Sequence, residues 1–306
     1  VRPGPAKGFL AFIAAAALFV SCAGPAGSGT TFVLAADMRN FVAGASLFEG
    51  ACDAIRASGA GDFMISPGDI DPPDDVRAAV TSHIGAAYPW LPVVGNHEID
   101  TIYSSPHPFA ASIEWLRTYT MPFAVNPGPA GAAATCYSFD RDNVHIAVIN
   151  EYYDGTNDNT LVSGHGSISP ALLAWLDADL AATTRAVTFV VGHEPAYPQP
   201  DADPPHRLRH LGESLDADPA ARDAFWSLLQ ARNVKAYLCG HTHDFSVVMV
   251  NGVWQVDSGH ARGTADTGAP STFVKMSVTP AGAVSWEAWR LDPASGTYLL
   301  AHSGAL

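Results

Sequence analysis

Five short apolar runs in this chain each end in a residue that can ligate a metal, most often behind a glycine, and this repetition constrains the fold more than any other feature. Residues 31–36 run into Asp37-Met38-Arg39, 63–66 into Pro67-Gly68-Asp69, 91–94 into Gly95-Asn96-His97-Glu98, 186–191 into Gly192-His193, and 234–239 into Gly240-His241-Thr242-His243. Continuous apolar runs of this length read as strands buried on both faces. In a parallel sheet the ends of such strands lie along one edge, where side chains from distant parts of the chain converge. A glycine at the strand end lets another segment approach the backbone closely.

The segments between these runs supply the crossovers that a parallel sheet needs. Residues 41–57 read as a helix closed by Ser58-Gly59, and 74–83 as a helix opened by Asp71-Pro72-Pro73-Asp74. With the strands around them they form a βαβαβ pattern. In the middle of the chain, 137–140 and 144–150 form a hairpin about Arg141-Asp142-Asn143. Ser169-Pro170 opens a helix to about 181, with Ser as cap and Pro in the first turn. Residues 219–232 place Phe225, Leu228 and Leu229 on one helical face. Near the end, 245–250 and 253–256 flank Asn251-Gly252, a strong hairpin signal, and 273–278 and 284–289 flank Thr279-Pro280-Ala281-Gly282. The expected architecture is α/β: two β layers covered by helices, in one domain over 30–306.

The chain has 306 residues, enough for one large core, and a formal charge of −14. An excess of that sign argues against nucleic acid or an anionic membrane surface as a partner. Arg2 and Lys7 precede an apolar stretch over 8–20, too short for a good membrane span. Residues 1–22 therefore read as an export signal and 23–29 as a short tether. Ser21-Cys22 resembles a bacterial lipobox, though Phe19 stands where Leu is usual. The expected location is secreted, periplasmic or, if Cys22 carries lipid, anchored at the cell surface. Cys52, Cys136 and Cys239 remain, export permits one disulfide, and no CxxC pair marks a structural zinc site. Cys239 lies in an apolar run and reads as a buried thiol.

The strand-end residues are chemically coherent. Asp37 and Asp69 offer carboxylates, which can bridge two cations, and Asn96 offers a neutral oxygen. His193, His241 and His243 offer imidazoles, and His241 and His243, two apart, share a side if the chain there is extended. Such a set suits iron, manganese or zinc.

In this order the segments resemble the calcineurin-like metallophosphoesterase superfamily, which includes purple acid phosphatases and has the pattern D-x-H, G-D-x-x-D, G-N-H-[D/E], G-H, G-H-x-H. The resemblance covers roughly 31–260. It implies a two-layer β sandwich flanked by α-helices, two divalent or trivalent metal ions, and hydrolysis of phosphate mono- or diesters by a metal-activated hydroxide. Carried over, Asp37, Asp69 and His243 resemble ligands of a first metal. Asp69, Asn96, His193 and His241 resemble those of a second, with Asp69 bridging. His97 resembles the residue that protonates the leaving oxygen or stabilises the transition state.

Two positions depart from the pattern. Arg39 stands where the superfamily usually has His, and arginine cannot deprotonate to ligate a metal. The first site then lacks a ligand, so water completes it or the site is weak or empty, and Arg39 reads equally as a group that binds the substrate phosphate and acts in catalysis or as a salt bridge to an acidic neighbour. Pro72 stands where an Asp usually orients His97, and purple acid phosphatases place a Tyr ligand in this motif. Asp71 falls one position early and would need a local bulge to take over. Glu98 reads as a support for a ligand or as a cap.

His260 and Arg262, after the last hairpin, are candidate substrate contacts, against the plainer reading of an ordinary polar loop. His206-Arg207-Leu208-Arg209-His210 is a basic cluster read as a solvated loop that could attract an anion. Residues 154–159 lack the register of a calcium loop. The expected partner is a small phosphorylated substrate. The alternative is a catalytically weak or inactive metallophosphoesterase-like lipoprotein that binds a phosphorylated ligand.

Overall fold

In the computed structural model the described residues are 29–39, 44, 47–99, 109–160, 164–263, 266 and 268–306. The expected export signal, Cys22 and nearly all of the tether lie outside them, as does part of the helix read over 41–57.

The elements run β1 Thr30–Leu34, α1 Phe48–Ala57, β2 Phe63–Ser66, α2 Pro73–His83, β3 Trp90–Pro92, α3 Asn96–Ile99, α4 Phe109–Thr118, β4 Asn126–Pro127, β5 Tyr137–Arg141 and β6 Val144–Val148. They continue α5 Pro170–Ala182, β7 Val187–Val191, α6 Pro219–Ala231, β8 Ala236–Cys239, β9 Phe245–Val250, β10 Val253–Ser258, β11 Thr272–Val278, β12 Val284–Asp292 and β13 Thr297–Ala305. One sheet has the order β13-β12-β11-β1-β2-β3 and the other β4-β5-β6-β7-β8-β10-β9. β1, β2 and β3 are parallel, and so are β6, β7, β8 and β10.

Three apolar layers follow from the two-residue period of a strand. Phe32, Leu34, Phe63 and Ile65 face Phe139, Ile146, Phe189 and Leu238 between the sheets. Their neighbours Val33, Ala35 and Met64 point outward, against Phe48, Cys52, Ile55, Val76 and Val80 of α1 and α2. On the far side Ala147, Val190 and Tyr237 pack against Leu172, Leu176, Phe225, Trp226 and Leu229 of α5 and α6. The strands are thus covered on both faces, which is why they are continuous apolar runs rather than alternating ones. The mixed α/β architecture of two sheets flanked by helices is the one expected.

Local signals act as read. Ser169 Oγ accepts from the Leu172 N–H at the start of α5, and Asp218 does the same for Ala221 at α6. Asn251-Gly252 joins β9 to β10. β13, absent from the sequence reading, pairs with β12 at the sheet edge, where alternation is weak because exposed positions predominate. Cys52, Cys136 and Cys239 are buried free thiols.

Candidate metal centre

The strand ends of both sheets meet at one point. Asp37 follows β1, Asp69 follows β2 and Asn96 opens α3 after β3; His193 follows β7, and His241 and His243 follow β8. Asp37, Asp69 and His243 each offer a ligand atom, all within 4.8 Å of one another, and all three residues are buried. Around the other face of Asp69, His193 Nε2 lies 3.4 Å from Asp69 Oδ1, 3.0 Å from Asn96 Oδ1 and 3.1 Å from His241 Nδ1. Both expected ligand sets are therefore brought together, with Asp69 between them.

The turns that achieve this are strained. Asp37, Asp69, His241 and His243 all have positive φ, at 57°, 53°, 72° and 62°. Each such non-glycine residue costs on the order of 1 kcal/mol or more, and that strain is characteristic of functional sites. This corrects the extended geometry expected at His241 and His243. They lie in a left-handed turn, which sends His241 toward His193 and His243 toward Asp37, where Nε2 is 3.5 Å from Oδ1. The flanking glycines are required by packing. A Cβ at Gly240 would sit 2.4 Å from Asp37 Oδ2, and one at Gly68 2.4 Å from His193 Nδ1.

Hydrogen bonds set the imidazoles for coordination. His193 Nδ1 is 2.8 Å from the Pro67 carbonyl, which can only accept, so Nε2 presents its lone pair to the cluster. His243 Nδ1 is held by the Asp266 carboxylate, which also accepts from Arg262 Nη1 at 2.8 Å. Burial keeps the protonation of His97, His193 and His241 below the ordinary imidazole range, and brings His243 down to about 3. Neutral imidazoles are what a metal needs.

The carboxylates differ. Burial and the charges of Asp69 and Asp257 push Asp37 well up. Burial would raise Asp69 too, but His97, His193 and Arg39 outweigh it and hold it below the usual range. Asp37 Oδ1 and His241 Nε2 are buried without a hydrogen-bond partner. Buried carboxylates and unpartnered polar atoms are costly unless a cation compensates. The residues present therefore fit metal ions: Asp37, Asp69 and His243 on one side, Asp69, Asn96, His193 and His241 on the other.

Arg39 lies beside the cluster, its side chain about one-fifth exposed, with Nε 3.8 Å from Asp69 Oδ2. Its Nη1 is 2.6 Å from His97 Nε2. Asp71, despite its early position, brings Oδ1 to 3.9 Å from His97 Nδ1. His260 is not at the surface, as a substrate contact would be: it is fully buried and its Nε2 meets the Ala269 carbonyl at 3.1 Å. Arg262 holds Asp266 and reaches the Arg39 carbonyl at 3.4 Å.

The support read for Glu98 is to a loop rather than to an imidazole: its carboxylate accepts from the N–H groups of Asp69, Ile70 and Gly95. Other supports escaped the sequence reading. Glu151 accepts from the N–H groups of His193 and Glu194 and from the Tyr237 hydroxyl, and burial pushes it up to about 7. It follows the β6 run as Asp37 follows β1, and that placement was a usable signal. Asp257 accepts from Thr242 Oγ1 at 2.6 Å and so fixes the turn between the two histidines. His210, in the basic cluster read as solvated, packs its ring 4.4 Å from that of His241.

Comparison with known proteins accords with this geometry. The model of the calcineurin-like phosphoesterase family matches residues 38–245, a stretch that takes in Asp69, Asn96, His193, His241 and His243. Purple acid phosphatase 21 of Arabidopsis thaliana is 27% identical over 197 residues, covering 60% of this chain and 38% of that protein. Phosphoenolpyruvate phosphatase of Allium cepa is 29% identical over 192 residues, covering 60% and 34%. The match thus spans little more than a third of each relative's length. Among solved structures, purple acid phosphatase PPD1 from yellow lupin seeds has a TM-score of 0.60 at 14% identity, over 91% of this chain and 54% of that one. GAP50, the anchor in the inner membrane complex of Plasmodium, has a TM-score of 0.57 at 12% identity, over 91% and 88%. These two share the fold. With more than half of its length matched by the family model, the chain belongs to the calcineurin-like phosphoesterase family.

Proposed function

We propose that the protein is a metal-dependent phosphoesterase that hydrolyses phosphate mono- or diesters of small molecules. The observation that carries this reading is the convergence of Asp37, Asp69 and His243 with Asn96, His193 and His241 around one buried carboxylate. Asp37, Asp69 and His243 on one side and Asp69, Asn96, His193 and His241 on the other would hold two transition-metal ions, which would lower the pKa of water and offset charge on the phosphoryl oxygens.

The chain's own residues do the rest. Asp69 presents Oδ1 to His193 and Oδ2 to Arg39 and His97, which separates the side of the proposed metal-ligating imidazoles from the side that carries the Arg39 guanidinium. Arg39 is permanently charged and partly exposed, and its planar donors match a phosphoryl group. Glu98, Glu151 and Asp257 hold the loops that aim the ligands, so the site is ordered before substrate arrives. Export is part of the proposal and is supported by the charged and then apolar N-terminal sequence.

The test is hydrolysis of p-nitrophenyl phosphate and of its bis ester by protein loaded with manganese, zinc or iron, beside Asp69→Asn. Turnover of at least one ester, abolished by Asp69→Asn together with metal retention, is the expected result. Bound metal without turnover of any ester, together with phosphate binding, would favour the second reading, an inactive relative that binds a phosphorylated ligand. The Arg39 guanidinium beside Asp69 is the observation behind that reading.

A further inference from the structure

We propose that in this chain His97 is a positioning residue for Arg39, and that Arg39 takes over at the leaving oxygen. The site then suits esters whose leaving oxygen departs as a stable anion: aryl or enol phosphates and phosphoric anhydrides. This deepens the phosphoesterase reading and rests on it.

The geometry begins with the short contact between Arg39 Nη1 and His97 Nε2, at 2.6 Å. Arginine has only donors, and it keeps its proton in proteins. The His97 Nε2 facing it must therefore be the acceptor, and an imidazole nitrogen that accepts has no proton to give. The remaining ring nitrogen, Nδ1, points back toward Asp71, 3.9 Å from Oδ1, on a carboxylate that is itself buried. The imidazole thus lies between a buried carboxylate and a guanidinium. Its backbone is also fixed, since the His97 N–H donates to Asp69 Oδ1 at 3.0 Å.

His97 is 4% exposed, while the Arg39 side chain is about one-fifth exposed. Of the two, the guanidinium is the group that an entering ester meets. Arg39 is held from both ends: Arg262 Nη2 donates to its carbonyl at 3.4 Å, and His97 takes one of its terminal N–H groups. Nε is buried beside Asp69 Oδ2 and one Nη1 N–H is anchored on His97, so the remaining terminal N–H groups are the donors offered to phosphoryl or leaving oxygens. A planar fork held in this manner is a preorganised electrostatic stabiliser.

The bond changes follow. A water-derived hydroxide oxygen forms the new bond to phosphorus, and the bond from phosphorus to the ester oxygen breaks with its electron pair going to that oxygen. The guanidinium meets the developing negative charge without giving up a proton, and the departed oxyanion takes its proton from solvent. Such a step is efficient when the oxyanion is intrinsically stable. It is poor for simple alkyl phosphates, which need a proton delivered during bond breaking.

The experiment uses metal-loaded wild type, Arg39→Gln, His97→Ala, His97→Gln and the Arg39→Gln/His97→Ala double variant. Rates are measured on p-nitrophenyl, phenyl and methyl phosphate, and binding of inorganic phosphate by calorimetry. Metal content and thermal melting confirm that each variant is folded and loaded. The expected result is that His97→Ala loses the same factor on every ester, that phosphate binding weakens by about tenfold in both single variants, and that the double variant is no worse than the worse single. His97→Gln should recover much of the loss, because its amide oxygen can accept from Arg39 although it cannot protonate a leaving group.

A His97→Ala loss that grows steeply from p-nitrophenyl to methyl phosphate, with phosphate binding unchanged, would overturn the proposal and make His97 the proton donor. If wild type turns over none of the esters, the phosphoesterase reading itself is lost. The coupling of His97 to Arg39 is then decided by phosphate binding alone: equal weakening in both single variants supports it, and an unaffected His97→Ala refutes it.

Discussion

At the scale of single residues, the proposed ligands and the groups that hold them left different traces in the sequence. Asp69, Asn96, His193 and His241 could be read because each follows a strand and because packing demands small neighbours at Gly68 and Gly240. Glu98 could be read as a support, but its loop partner could not, and Asp257 gave no trace, since the N–H or hydroxyl each one meets is contributed from elsewhere in the chain. The left-handed turn at His241 and His243 was equally hidden, because nothing in the sequence marks a non-glycine residue for positive φ. Glu98→Gln tests the brace: replacing a carboxylate that serves three N–H groups puts an amide donor against them. A loss of about 2–4 kcal/mol in denaturant unfolding is expected, with weakened metal retention; an unchanged midpoint would contradict the assignment. His260 gives a pH prediction. Burial brings its folded pKa down to about 4 from an ordinary 6.5, and Nδ1 accepts from the Arg262 N–H. The unfolded chain therefore binds a proton between these values that the folded chain does not, so this contribution is present above pH 6.5 and is lost as pH falls toward 4. Between those limits wild type should lose up to roughly 3 kcal/mol more than His260→Gln. Parallel melting curves across that range would contradict it.

At the scale of elements, legibility followed burial. Strands covered on both faces are apolar runs, and helix starts carry a capping Ser or Asp with a following Pro, so both stand out. The edge strand β13 does not, because solvent tolerates nearly any side chain on most of its positions. The contacts that tie a surface loop to the core are also illegible in one dimension. Arg290, on β12 and 3% exposed, donates to Asp201 at 2.8 and 2.7 Å and to Asp203 at 2.6 Å. That pair of carboxylates opens the loop that runs on to His210, whose ring packs against His241. Arg290→Ala leaves buried Asp201 without its cation and should cost about 3–5 kcal/mol in chemical denaturation. Because the loop reaches His241, one of the proposed metal ligands, metal affinity should fall with it. A loss of less than about 1 kcal/mol, the size of an exposed ion pair, would contradict this role.

At the scale of the molecule, two parallel sheet segments from different sheets point their strand ends at one place. β1, β2 and β3 deliver Asp37, Asp69 and Asn96, while β7 and β8 deliver His193, His241 and His243. No one of these segments contains the site, and the proposed ligands become a cluster only when both sheets pack through the shared apolar layer. The order of motifs made this convergence readable, whereas the position of Arg39 against His97 needed coordinates. The most direct test is metal content per chain, measured by elemental mass spectrometry on protein purified without chelator or affinity-metal resin, for wild type and for Asp69→Asn. Wild type should carry about two transition-metal ions per chain, and Asp69→Asn, which alters the carboxylate common to both ligand sets, should lose most of both while remaining folded. Wild type without bound transition metal, or Asp69→Asn with its metal content unchanged, would contradict a metal centre built around Asp69.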